Sequence, residues 1–385
     1  MDALAIRAVV AARRDGFITD LEAMVNIDCG SFNRGGVNRI AGMCEQRFRD
    51  GGWEVDRLAP SARDLPPVGD TVVGTLRGAG GRRVLLLGHT DTVFDDGVAA
   101  ERPFSVAGGR AFGPGVSDMK GGLLTGFVAV EALQEVGFDR FDRITYVCNP
   151  DEEIGSPSSR DLIRRLATEH DAALVLECGR SNGDIVSARK GITDYVIRVH
   201  GRAAHAGVEP ERGRSAVVEA AHKALALTAL HGRWPGVTCN VGVIRAGTRT
   251  NVVPEEALLE VELRSPNLET LEEAEREVER ICAAPVLDGV TIGVETEGWH
   301  RPMERSEGSQ RLVEAAKDVA AELGFRVSDA ATGGASDGNT TSAAGCATLD
   351  GLGPIGGDDH SSDEWLDMES IVPRTAMLAG IITRL

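Results

Sequence analysis

Between residues 71 and 177 the apolar positions fall into short unbroken runs separated by longer stretches of helical period. RRVLLLGH, RITYVCNP and AALVLE, ending at His89, Pro150 and Glu177, are apolar on consecutive positions, as strands buried on both faces are. The intervening segments 120–135 and 158–169 carry a 3.6-residue period, the second opened by Ser158 as a helix cap. Strands alternating with helices predict an α/β domain with a mixed, mostly parallel sheet sandwiched by helices. Residues 1–25 read as an amphipathic opening helix, its apolar face interrupted by Arg7, Arg13 and Arg14.

After Glu177 the rhythm changes. ITDYVIRVHG alternates polar and apolar positions, as a strand with one buried face does. A helix at 215–230, strands at 237–247 and 256–264, a charged helix at 268–284 and a strand at 290–298 follow. The order β-α-β-β-α-β is that of a ferredoxin-like unit. It predicts an inserted α+β domain at 189–299, flanked by the two parts of the first domain, 1–188 and 300–385. The second part resumes with a helix at 309–323 and ends in a helix from Asp367.

The net charge of −18 argues against nucleic acid or an anionic membrane as partner, since both reward a basic face. Seven cysteines without a CxxC pair fit reduced thiols in a cytoplasmic protein. The N-terminal segment lacks the uninterrupted apolar stretch of a signal peptide, and no run approaches the roughly 20 apolar residues of a membrane span.

In an open α/β sheet, chemistry collects beyond the carboxyl ends of the strands. His89 and Asp91 follow one strand, Asp151, Glu152 and Glu153 another, and Glu177 ends a third. Asp118 lies in a Gly/Pro-rich loop, GPGVSDMKGG, that leads into a helix, and His360 lies in GGDDHSSDEW before the last one. So many carboxylates at one rim repel each other unless cations neutralise them. Imidazole mixed with carboxylate suits zinc, cobalt or manganese better than magnesium or calcium.

The motifs GHTDTV, GPGVSDMKGG, NPDEEIGS, ECG and DDHSSDEW, in this order along nearly the whole chain, resemble those of the di-zinc metallopeptidase family. That family includes glutamate carboxypeptidase of the carboxypeptidase G type, acetylornithine deacetylase, succinyl-diaminopimelate desuccinylase and aminoacylase. The resemblance implies two zinc ions per chain, replaceable by cobalt or manganese. Asp118 would bridge them, His89 and Glu177 completing one site and Glu153 and His360 the other. It makes Glu152 the general base on a water activated between the two metals, and Asp91 the partner that orients the His89 imidazole.

The resemblance also implies a homodimer joined through the inserted domain, which acts as a lid. His205 in GRAAHAG would stabilise the oxyanion in the partner subunit's site, and Asn251 would contact substrate. Arg264 would hold the substrate's α-carboxylate in its planar fork. Gly333, Gly334 and Ser336 belong to a Gly-rich loop that matches the family's segment beside the substrate. The implied reaction is hydrolysis of an amide or peptide bond to an amino acid with a free carboxylate, in a small N-acyl amino acid or peptide. An N-acyl-amino-acid deacylase of the acetylornithine or succinyl-diaminopimelate type is the alternative enzyme, and a non-catalytic ligand-binding homologue the alternative outside enzymes.

Overall fold

A computed structural model describes residues 2–60 and 67–385, the side chain of residue 299 apart. Two units emerge from it: Met1–Ala188 with Arg305–Ala331 and Ser336–Leu385, and Arg189–Glu304 with Thr332–Ala335.

In the first unit the apolar run at 84–87 forms strand Arg82–His89 in the interior of a six-stranded sheet. Across the sheet the order is Glu54–Leu58, Thr71–Arg77, Phe141–Asn149, Arg82–His89, Ala172–Val175 and Ala347–Leu349. Arg82–His89 runs parallel to both neighbours, and Ala347–Leu349 is parallel to Ala172–Val175. The two strands at the opposite edge pair antiparallel, so the sheet is mixed.

Alternate side chains of a strand face opposite ways. Leu86 accordingly packs into the large core that also holds Leu123 and Phe127 of helix Gly121–Glu135 and Met377 of helix Ile371–Ile382. Leu85 and Leu87 enter a second core with Ile163 and Leu166 of helix Arg160–Thr168. Helices therefore cover both faces, and each fully buried leucine contributes about 1.5–3 kcal/mol. Parallel register sets His89 beside Asn149 and Leu87 beside Val175. Residues 90–91, 151–153 and 177 consequently leave the sheet at the same edge.

Helix Gly121–Glu135 sits unusually close to that edge. A Cβ on Gly122 would lie 1.9 Å from the carbonyl oxygen of Leu176, so only glycine lets the backbones approach.

Three local expectations are corrected. The opening helix is two helices, Ala3–Ala12 and Arg14–Val25, with Arg13 as the break between them. Helix Arg160–Thr168 has no serine side-chain cap. Asp151 instead fixes the turn that enters the helix, accepting from the backbone N–H of Ser158 (2.5 Å) and Ser159 (3.3 Å), while Ser159 Oγ donates to it (2.6 Å). The last helix starts at Ile371, because Trp365–Asp367 is drawn into a small antiparallel sheet with Arg110–Phe112 and Gly356–Gly357.

The second unit has a four-stranded antiparallel sheet in the order Thr238–Ala246, Glu256–Ser265, Gly191–His200, Thr291–His300. Helices Ala216–Thr228 and Leu268–Ala283 intervene along the chain, and the first strand lies between the third and fourth. This is the topology of a split βαβ unit. Its core joins Ile197, Leu259 and Leu263 to Leu271 and Val278.

All seven cysteines are buried and free. Among the described residues, no helix is long and apolar enough to cross a membrane.

Candidate active site

Asp118 stands at the centre of the edge where the strands end. One carboxylate oxygen lies 3.1 Å from Nε2 of His89 and the other 3.1 Å from Nε2 of His360. His89 Nε2 is also 3.6 Å from Glu177 Oε1, and His360 Nε2 is 3.2 Å from Glu153 Oε2. Two imidazole–carboxylate sets thus share one aspartate. Glu152 belongs to the same cluster: ligand atoms of His89, Glu152 and Glu177 lie within 4.8 Å of one another, as do those of His89, Asp118 and Glu153.

Each member has a support. His89 Nδ1 is 3.0 Å from the backbone carbonyl of Asp91 and 3.3 Å from its Oδ1, which turns Nε2 towards Asp118. The Asp91 carboxylate also accepts from Ser31 Oγ (2.7 Å) and from the backbone N–H groups of Glu152 and Glu153 (both 3.2 Å). One buried carboxylate therefore orients the histidine and the turn that bears both glutamates. His360 adopts a left-handed backbone, φ 61°, an uncommon conformation for a side chain of this size. Asp118 is followed by a cis peptide bond to Met119.

Two supports escaped the sequence reading. Glu364, 1% exposed, accepts from the backbone N–H of Gly115 (2.8 Å), Ser117 (2.8 Å) and Asp118 (3.0 Å), and so holds the loop that presents Asp118. Burial pushes its carboxyl up to about 7. Asp337, also buried, accepts from Ser156 Oγ (2.6 Å) and Asn149 Nδ2 (2.8 Å), bracketing the Glu152–Glu153 turn on both sides. A glutamate in an acidic loop and an aspartate in a Gly-rich one carry no local pattern that separates them from solvated carboxylates.

The electrostatics describe a site with excess negative charge. Burial raises Glu152 well above the ordinary carboxylate range, and the charges of Glu177, Asp337 and Glu153 add to this against the opposing pull of His89. Burial, reinforced by the charge of Asp118, pushes Glu153 up to about 7. Hydrogen bonds to Asp118 and Glu153 lift His360 to about 11. Burial would lower His89, but its bonds to Asp118 and Asp91 outweigh that and hold it well above its usual value. Asp118 goes the other way: burial raises it, and the two imidazoles more than offset this, leaving it below the usual range.

The donor set fits divalent metal ions. Glu153 Oε1 is buried with no hydrogen-bond partner, a situation that costs about 1–3 kcal/mol unless a cation or donor meets it. Two imidazoles and three glutamates around a shared aspartate match the mixed nitrogen and oxygen ligation of zinc-type ions. Asp91→Ala is expected to weaken metal affinity about 10–100-fold, because the imidazole keeps only the backbone carbonyl and loses the carboxylate 3.3 Å from Nδ1, and the Glu152–Glu153 turn loses the same anchor. Competition with a chromophoric chelator measures this, and unchanged affinity would remove Asp91 from that role.

The remaining sequence candidates are spread over both units. His205 is exposed, its Nδ1 accepting from the N–H of Gly207 (3.2 Å), and Asn251 is exposed as well. The Arg264 fork is engaged by Glu262 at 2.7 and 2.6 Å, and its Nη1 donates to the Gly333 carbonyl at 2.7 Å. The carbonyl of Gly334 accepts from Arg189 at 3.2 Å. These residues lie in the second unit. Ser336 lies in the first, buried, its hydroxyl donating to Asp350 (2.6 Å) and capping helix Asp337–Ala343.

Similarity to known proteins points the same way. The chain is 31% identical over 371 residues to carboxypeptidase G2 of Pseudomonas sp. (strain RS-16), covering 95% of this chain and 88% of that one. It is 29% identical over 317 residues to succinyl-diaminopimelate desuccinylase of Ralstonia nicotianae, covering 77% and 80% of the two chains. Among solved structures, aminopeptidase PepT from Bacillus cereus superposes with a TM-score of 0.79 at 25% identity, over 96% of this chain and 98% of that one. The pattern that defines peptidase family M20/M25/M40 matches residues 85–384, from the central strand to the last helix, and the chain belongs to that family.

Proposed function

We propose that the protein is a dinuclear metal amidohydrolase of the carboxypeptidase type, which releases an amino acid with a free carboxylate from a peptide or N-acyl amino acid. The observation that carries this reading is Glu152, a half-buried acid without the imidazole contacts of Glu153, set against a cluster in which one aspartate joins two imidazole–carboxylate sets. A ligand-binding homologue needs no such base. His89, Asp118 and Glu177 would hold one ion and Asp118, Glu153 and His360 the other, with zinc as the resident metal. Bound there, such ions supply polarisation of the scissile carbonyl and a lowered pKa for the attacking water.

The chain's own groups do the rest. Glu152 takes the proton from the attacking water and delivers it to the leaving amide nitrogen, and its raised affinity for a proton suits both halves of that transfer. Asp91 keeps His89 aligned and fixes the backbone of the Glu152 turn. The second unit serves as lid and dimerisation domain. His205 is exposed enough to reach the oxyanion in a partner subunit's site, where a donor stabilises the developing charge. Arg264 receives the substrate carboxylate by exchanging it for Glu262, since both offer the same bidentate geometry. The seven buried, free thiols support a cytoplasmic setting.

A screen of dipeptides and N-acyl amino acids with zinc-loaded enzyme tests this. Substrates with a free α-carboxylate are expected to be hydrolysed, and their carboxamide counterparts at least about 100-fold more slowly, as follows when a site built to pair a group meets an analogue lacking it. Equal rates on the carboxamides would contradict the reading. Strict preference for one acetylated or succinylated amino acid would replace it with the deacylase reading, which the similarity to succinyl-diaminopimelate desuccinylase keeps in view.

A further inference from the structure

Next to the carboxylate cluster the first unit contains a cavity of about 620 Å³ formed by the loops 30–33 and 92–96 and by Glu153 and Ile154. Its apolar surface comes from Phe32, Val93, Phe94 and Ile154, and its acidic groups are Asp95, Asp96 and Glu153. Phe32 is 58% exposed and Val93 41% exposed, large apolar side chains left facing solvent beside the reactive centre. No lysine or arginine lines the cavity. Arg102 stacks on the Phe94 ring, 4.7 Å from its centre, and donates to the Ser361 carbonyl.

The cavity is built in register with the cluster. Glu153 both lines it and contacts His360 at 3.2 Å. Gly30 pairs with Thr92, and a Cβ on Gly30 would lie 2.4 Å from the Phe94 carbonyl oxygen, so the two loops meet as closely as backbones allow. Ser31 then donates to Asp91, the same carboxylate that accepts from Glu152 and Glu153. The cavity wall and the turn carrying the base thus share one anchor.

We infer that this cavity receives the acyl side of the substrate and selects an apolar, preferably aromatic, acyl group that carries no carboxylate. The inference rests on the amidohydrolase reading above. A substrate of that class has two ends, one of them the carboxylate of the released amino acid. Asp95 and Asp96, with no cation lining the cavity, repel that end and leave the place to the acyl end. By the same repulsion an acyl group ending in its own carboxylate, such as succinyl, is rejected. Phe32 provides an open face, and Phe94, already carrying Arg102, a ring edge, on which a flat apolar group gains contact area that a methyl group cannot.

The test compares benzoyl, acetyl and succinyl derivatives of one amino acid, chosen as the best released in the screen. Wild-type kcat/KM is expected to be at least about tenfold higher for benzoyl than for acetyl, and lowest for succinyl. Phe32→Ala is expected to shrink the benzoyl advantage to within about threefold, and Asp95→Asn with Asp96→Asn to raise succinyl relative to acetyl about tenfold. Affinities of the same three compounds for Glu152→Gln protein, by calorimetry, give a readout independent of turnover. The same order in binding, with no hydrolysis of any of the three by the zinc-loaded wild type, would overturn the hydrolase reading and leave the pocket assignment standing. Hydrolysis with succinyl equal to or better than benzoyl, or a benzoyl advantage untouched by Phe32→Ala, would overturn the pocket assignment and leave the hydrolase reading standing.

Discussion

Replacing Glu152 with glutamine is expected to lower kcat about 10²–10⁴-fold, the range a positioned general base contributes, while metal content stays that of the wild type. Glutamine has the size of glutamate, and the backbone N–H of residue 152 still donates to Asp91, so the turn is kept. What is lost is only the ability to take and return a proton. Stability should hold or rise slightly, because burial and the charges of Glu177, Asp337 and Glu153 all disfavour an ionised group there. Steady-state kinetics, metal analysis and a thermal melt on one preparation separate the cases. Retained activity with two ions bound would mean that another group moves the proton.

Asp118→Ala is expected to lower the rate to a similar extent and, unlike Glu152→Gln, to lose metal as well. Both imidazoles lose the carboxylate that lies 3.1 Å from each of them, and under the proposed ligation both ions lose their shared ligand. Lewis-acid stabilisation is worth several kcal/mol. At 1.36 kcal/mol per tenfold, losing about 5 kcal/mol lowers the rate by between three and four powers of ten. Metal content should fall below one ion per chain. The fold should survive, because Glu364 grips the backbone of Gly115, Ser117 and Asp118 rather than the Asp118 side chain. A variant that kept two ions and near-normal kcat would refute the bridging role.

The parts of this arrangement that follow from local pattern were legible in the sequence. A short unbroken apolar run between turn signals fits a doubly covered strand, so Leu85–Leu86–Leu87 pointed to the middle of the sheet, and the polar residues after it to its edge. The alternation in 192–199 likewise marked a strand with one buried face, Gly191–His200. What was not legible depends on partners far away along the chain. Glu364 finds the Asp118 backbone across 246 residues, and Asp337 finds Ser156 across 181, and neither has a local signature. Strands of two or three residues, such as Gly356–Gly357 and Trp365–Asp367, are too short for a period to show. The serine expected to cap the helix at 160 does not do so, because Asp151, delivered by the incoming strand, takes up the Ser159 hydroxyl and the backbone N–H groups of Ser158 and Ser159 before the helix begins. Phe32 and Phe94 are single aromatics in two separate loops, and only the fold brings them to one cavity.

The central claim is that two divalent ions held on one aspartate do the work. Stripping the protein with a chelator and restoring zinc in measured steps, with activity read at each step, addresses it most directly. Activity should be absent in the stripped protein and should climb to a plateau at two ions per chain. A plateau at one ion per chain, or full activity in the stripped protein, would contradict it.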